Sequence, residues 1–156
     1  MAKSTPATLA LQKAGVVFAL HEYDYDPNAE SIGMQAAEAL GIEPARLLKT
    51  LMVKAGNEIV CVLAPSDREV NLKKLAAAAG AKSAAMLGAA EAERVTGYHV
   101  GGISPFGQKK RVPVIIDQAA LAFPRLVMNG GRRGLQVELA SADLVRVLAA
   151  KTAALS

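Results

Sequence analysis

The chain has 156 residues, 52% of them hydrophobic and 21% charged, with 4% aromatic and no Trp, so one globular domain spanning 1–156 with an Ala, Val, Leu and Ile core is expected. No apolar run reaches the roughly 18 residues that cross a bilayer, and "MAKSTPATLALQKAG" lacks a signal core, which points to the cytoplasm and away from membranes. One Cys and two His exclude an internal disulfide and leave no zinc spacing, so neither metal nor cofactor is expected, while a net charge of +4 favours an acidic or phosphate-bearing partner.

"STPATLALQKAG" predicts a helix with Thr5 as N-cap, Pro6 in its first turn and Gly15 as stop. "VVFALHEY" predicts a strand, and "DYDPNAES" a turn that leaves Ser31 to cap a second helix, "IGMQAAEAL", ending at Gly41. Glu43-Pro44 opens a short helical turn. "LLKTLMVKAGNEIVCVLAP" predicts a hairpin around Ala55-Gly56-Asn57, with Lys49 and Thr50 at the start of its first strand. "NLKKLAAAAG" is a helix capped by Asn71 and stopped by Gly80, "KSAAML" a short strand and "AEAERVTG" a short helix. "RVPVIID", "RLVMN" and "LQVELA" predict three strands, with Pro113 marking an edge or an irregular start, and Ser141 is expected to cap a final helix through "ADLVRVLAAK". Hairpin-length connections without a strict βαβ rhythm favour a mixed, curved or partly closed sheet with helices packed on it.

Two glycine pairs carry the strongest local signal. In "HVGGISPFGQKKRVPVII", Gly101 and Gly102 precede Ile103, Ser104 and Pro105, a backbone able to approach a ligand closely yet stiffened by proline. "NGGRRG" repeats the pattern from Asn129 through Gly130 and Gly131 to two arginines. Neither matches a P-loop or a dinucleotide fingerprint. Lys49 places one ammonium in an apolar strand, where it either points to solvent or faces a pocket to bind a carbonyl oxygen, phosphate or ribose hydroxyl. Thr50, its neighbour, would then share that pocket only through its main chain. Tyr23 combines a packing ring with a hydroxyl able to bind a ligand. No nucleophilic triad assembles: His21 and His99 have packing or capping roles, Ser104 sits in no nucleophile elbow, and Cys61 reads as a buried hydrophobe.

In their order and spacing, "HEYDYDP", "LLKTLMV", "TGYHVGGISPFGQKKRVPVIID" and "MNGGRRGLQVELASADL" resemble the bacterial YbaK/EbsC family of aminoacyl-tRNA deacylases. These are relatives of the editing domain inserted in bacterial prolyl-tRNA synthetases, and the likeness runs from about Thr5 to Ala149. It implies a single α/β domain with a central mixed, barrel-like sheet surrounded by helices. It also implies trans-editing: hydrolysis of mischarged tRNA(Pro), foremost Cys-tRNA(Pro), with the substrate's own thiol attacking its ester. Such a second sieve is needed where binding alone cannot reject an amino acid of similar size. Lys49 matches the family's lysine, Gly101 to Pro105 its G-x-x-x-P loop, and Tyr23 its pocket tyrosine. Ile32 and Asn129 stand where members carry an aromatic and a hydroxyl residue, so preference for Ala-tRNA(Pro) or another small aminoacyl-tRNA is the alternative. A non-catalytic tRNA- or synthetase-binding module is a further one. Lys109, Lys110, Arg111, Arg132 and Arg133 are expected to meet phosphates of tRNA rather than DNA, with the synthetase as partner.

Overall fold

The computed structural model describes residues 4–28 and 32–156; the expected cap Ser31 lies outside them. The order is α1 (Pro6–Lys13), β1 (Phe18–Glu22), α2 (Ile32–Leu40), a 3₁₀ turn (Pro44–Arg46), β2 (Leu48–Ala55), β3 (Glu58–Pro65), α3 (Leu72–Ala78), β4 (Ala84–Met86) and α4 (Ala89–Thr96). There follow β5 (Val114–Asp117), a second 3₁₀ turn (Gln118–Ala122), β6 (Arg125–Asn129), β7 (Leu135–Ala140), α5 (Ser141–Leu148) and β8 (Lys151–Ala153).

Local chemistry explains most boundaries. Thr5 Oγ1 accepts from the Thr8 main chain and Thr8 Oγ1 from that of Thr5, a reciprocal cap on α1. Asn71 Oδ1 accepts from Lys73 and Lys74 to start α3. Gly56-Asn57 closes the β2–β3 hairpin, whose register runs from Leu48 opposite Pro65 to Ala55 opposite Glu58. Pro113 ends just before β5, an interior strand, so it marks an irregular start and not an edge. Ser141 is not the cap of α5: that place belongs to Ala140, because β7 pairs with β6 up to it, and the Ser141 hydroxyl instead donates to the Pro124 carbonyl. The helix stops at Leu148, and residues 151–153 form β8, which exists through its parallel pairing with β5.

Among the described residues the strands form two sheets, one ordered β1-β7-β6 and antiparallel, the other mixed and ordered β4-β2-β3-β5-β8. The expected barrel-like closure is therefore corrected to two sheets that meet at one isolated parallel bridge, Leu47 to Val127. The main core lies between them and the helices, built on Leu48, Leu63, Ile116, Leu126, Met128 and Leu139, each no more than 2% exposed. A second cluster under α3 holds Val53, Val62, Leu75 and Leu155, and a third joins Leu47 and Val127 to α2 and Tyr23.

A charged knot sits at the junction. Burial pushes the Glu138 carboxyl up, but hydrogen bonds from His21, Arg125 and Arg46 outweigh it and hold the group below the ordinary carboxylate range. A carboxyl depressed on folding stabilises the protein above its unfolded pKa, and that stability is lost as pH falls through the folded value. Stability to urea is expected to be level above about pH 5 and to fall below about pH 4. In Glu138→Gln the plateau should drop by on the order of 1 kcal/mol and the acid decline become shallower; an unchanged decline would remove Glu138 from the acid response.

Candidate functional site

β2 has different neighbours along its second edge. At one end Leu47 bridges to β6; at the other, Val53–Ala55 pair with β4. Leu87 N–H donates to the Met52 carbonyl at 3.0 Å, so Met52 turns its main-chain groups toward the β4 edge. Alternation sends those of Thr50 to the same edge, past the end of β4. A cavity of about 400 Å³ opens there, and its walls include the continuous run Leu47 to Met52, Met86 and Leu87 at the end of β4, and Asn129 and Gln136 from the other sheet. Val100, Gly101 and Ile103 complete the wall from the loop after α4. The cavity is a gap between two sheets, roofed by a glycine loop, and its volume lies within the usual range for small-molecule sites.

The polar groups here are sparse. Lys49 lines the cavity, half-buried, and its Nζ donates to the Arg68 carbonyl at 2.5 Å. Thr50 lines the cavity too, and its Oγ1 is buried without a hydrogen-bond partner. Gln136, 3% exposed, has an equally unpartnered Oε1. Tyr23 packs beside Leu47 and Val127. Burial raises its phenol pKa; the nearby Gln136 side chain tempers that rise without completing a hydrogen bond to the hydroxyl. Thr50 and Gln136 border the cavity, and the Tyr23 hydroxyl lies near the Gln136 side chain behind it; buried oxygens without partners are uncommon in a folded protein.

The two glycine loops build the wall by approaching each other. A Cβ on Gly102 would lie 2.9 Å from the main chain of Arg132 and Arg133, so the glycine permits backbone-to-backbone packing between loops. Asn129 Nδ2 donates to the carbonyls of Gly101 and Arg132, both at 3.2 Å, and its Oδ1 accepts from Gly131 N–H at 2.7 Å. Gly130 is fixed through its carbonyl by the Thr5 hydroxyl. Tyr98, its phenol pushed up by burial, donates to the Phe106 carbonyl and stiffens the loop from behind.

The remaining predicted residues fall elsewhere. Ser104 is fully buried, its Oγ accepting from Phe106 N–H. Pro105 and Arg111 line a second cavity of about 260 Å³. Lys109 and Lys110 are exposed, their main-chain N–H groups donating to the end of α4. Arg132 pairs with Glu22 at 2.8 Å, and Arg133 donates to the Val100 carbonyl at 2.9 Å with its guanidinium over the Tyr25 ring. Arg132 therefore ties its loop to the end of β1, and Arg133 ties it to the loop after α4. Ile32 begins α2 and its side chain is outside the described residues. Cys61 is fully buried with its thiol pushed up to about 12 by burial, as inert as expected. Sequence reasoning missed Gln136, and its one available signal was an amide inside an apolar strand.

This fold and site define an aminoacyl-tRNA editing domain: the family model of that description matches residues 26–147, and the chain belongs to the YbaK/EbsC family of such proteins. It is 40% identical over 122 residues to EbsC of Enterococcus faecalis, named as a candidate Cys-tRNA(Pro)/Cys-tRNA(Cys) deacylase, over 76% of this chain and 74% of that one. It is 36% identical over 95 residues to a proline–tRNA ligase of Thermoanaerobacter, over 60% of this chain but only 16% of the ligase. A solved structure described as a candidate trans-editing enzyme for prolyl-tRNA synthetase superposes with a TM-score of 0.83 at 21% identity, over 99% of both chains. The protein APE2540 superposes with a TM-score of 0.83 at 24% identity, over 96% of this chain and 98% of that one. The last two share the fold.

Gly102→Ala is expected to cost about 1–3 kcal/mol in urea unfolding, since its neighbours are main-chain atoms that cannot yield. Gly88→Ser, in open space at the start of α4, should be neutral or slightly stabilising. Equal effects of the two would contradict the close packing of the loops.

Proposed function

We propose that this chain is a single-domain deacylase that clears mischarged tRNA(Pro) in trans, foremost Cys-tRNA(Pro). The observation that carries the reading is the inter-sheet cavity of about 400 Å³, bordered by Lys49, Thr50 and Gln136, in a member of an editing family. The 3′-terminal adenosine and its amino acid enter the gap, and the tRNA body stays outside against Lys109, Lys110 and Arg111. Selection of tRNA(Pro) falls to a prolyl-tRNA synthetase that delivers the product.

An aminoacyl ester is already activated, so the protein's task is to hold the carbonyl and stabilise the developing oxyanion. Lys49 supplies a mobile positive charge once substrate oxygens replace the Arg68 carbonyl. Thr50 contributes main-chain N–H and hydroxyl, and Gln136 an amide, for the ester and the α-amino group. Leu48, Met52 and Ile103 limit side-chain size. Cys61 and Ser104 are buried and engaged in the fold, which supports a nucleophile from the substrate. The cysteinyl thiol attacks its own ester carbonyl, its proton passes to the departing ribose oxygen, and water opens the resulting cyclic thioester to free cysteine.

Purified protein incubated with Cys-, Ala- and Pro-tRNA(Pro) should deacylate the cysteinyl ester fastest and spare the prolyl one. Deacylation of none of them above buffer would overturn the reading, and faster clearance of Ala-tRNA(Pro) would overturn the cysteine preference. Lys49→Ala should lose at least tenfold in rate with its unfolding midpoint unchanged; a wild-type rate would remove Lys49 from the chemistry. Gln136→Met is expected to gain about 1 kcal/mol of stability by removing an unsatisfied buried amide while losing activity. Lower stability in that variant would show that Gln136 is satisfied in the free protein.

A further inference from the structure

We propose that Glu138 is a positioning residue that sets the width of the cavity by locking the two sheets where they meet, a role that rests on the cavity being the editing site. The bridge at that junction joins Leu47 to Val127, and the cross-strand partner of Val127 on β7 is Glu138. Arg46, the residue before Leu47, reaches across the junction, with its guanidinium 3.2 Å from Glu138 Oε2. On its own sheet Glu138 is held from both sides: His21 Nε2 of β1 lies 2.8 Å from Oε1, and Arg125 Nε of β6 lies 3.1 Å from Oε2. A side chain only 15% exposed thus carries three partners from three chain segments, and the one from Arg46 is the tie between sheets.

The knot is two residues from the cavity wall on one side and one residue from it on the other. Gln136 lies on the same face of β7 as Glu138, two positions along and about 7 Å away. On the other sheet, the lining residues Leu47, Leu48 and Lys49 follow Arg46 directly. Both walls of the gap are therefore extensions of the strands that the knot fastens, and a shift at Glu138 moves them relative to one another. None of Glu138, Arg46, His21 or Arg125 lines the cavity, so their effect on catalysis must pass through its shape.

Discrimination separates this role from simple stabilisation, because loss of folded protein lowers all rates by one factor while a change of width alters their ratio. Deacylation of tRNA(Pro) charged with alanine and with 2-aminobutyrate, one methylene larger, gives that ratio. Glu138→Gln and Arg46→Met are each expected to change it at least threefold relative to the unsubstituted protein. An unchanged ratio in both variants would overturn the proposal. Hydrogen exchange supplies a readout that needs no activity, so failure of the editing reading leaves this one testable. In both variants, amides of residues 46–52 and 125–129 should exchange at least fivefold faster, while those of β3 and β5 keep their wild-type rates. Uniform acceleration, or none, would also overturn it.

Discussion

The structure depends on a strand edge shared unequally. β2 gives one edge wholly to β3, while its other edge is bridged to β6 at Leu47 and paired with β4 from Val53 onward. Continuous pairing with β6 there would have merged the two sheets and left no cavity. The interruption leaves Thr50 facing a gap with its main chain, and every other element of the site either borders that gap or holds its borders in place. An open edge is ordinarily a liability in a β protein; here a second sheet and a glycine loop cover it at the distance of a small ligand.

Covering the gap without filling it requires main chain in place of side chains. Gly102 allows the two glycine loops to touch, Asn129 bonds both, and Tyr98 and Gln108 stiffen the loop after α4. The polar residues inside are left incompletely satisfied. Each unsatisfied buried oxygen costs about 1–3 kcal/mol, a cost that an incoming ester and amino group can offset by supplying hydrogen bonds.

Much of the fold was legible because local chemistry agreed with the final structure. The caps at Thr5 and Asn71 and the Gly56-Asn57 hairpin depend on neighbours within a few residues. What was not legible depends on partners far along the chain. Strand β8 is three residues long and owes its existence to β5. Ser141 has the chemistry of a cap, yet the register of β7 against β6 assigns that place to Ala140. The division into two sheets is decided by where β2 loses its neighbour, which no periodicity encodes.

For the site, the motifs single out Lys49, Thr50, Gly101 and Asn129, which border one cavity. Gly102 meets the main chain of the other glycine loop, and Arg132 pairs with Glu22 at the end of β1, contacts set by residues far along the chain. Gln136 offers only the weak signal of an amide in a strand, because alternation does not say which polar residue borders a cavity. The most direct measurement is an amide-shift titration with a non-hydrolysable 3′-cysteinylamino-adenosine. The account expects the largest shifts at Thr50, Gly101, Ile103 and Gln136, and shifts concentrated instead around Pro105 to Val112 and α5, at the second cavity, would contradict it.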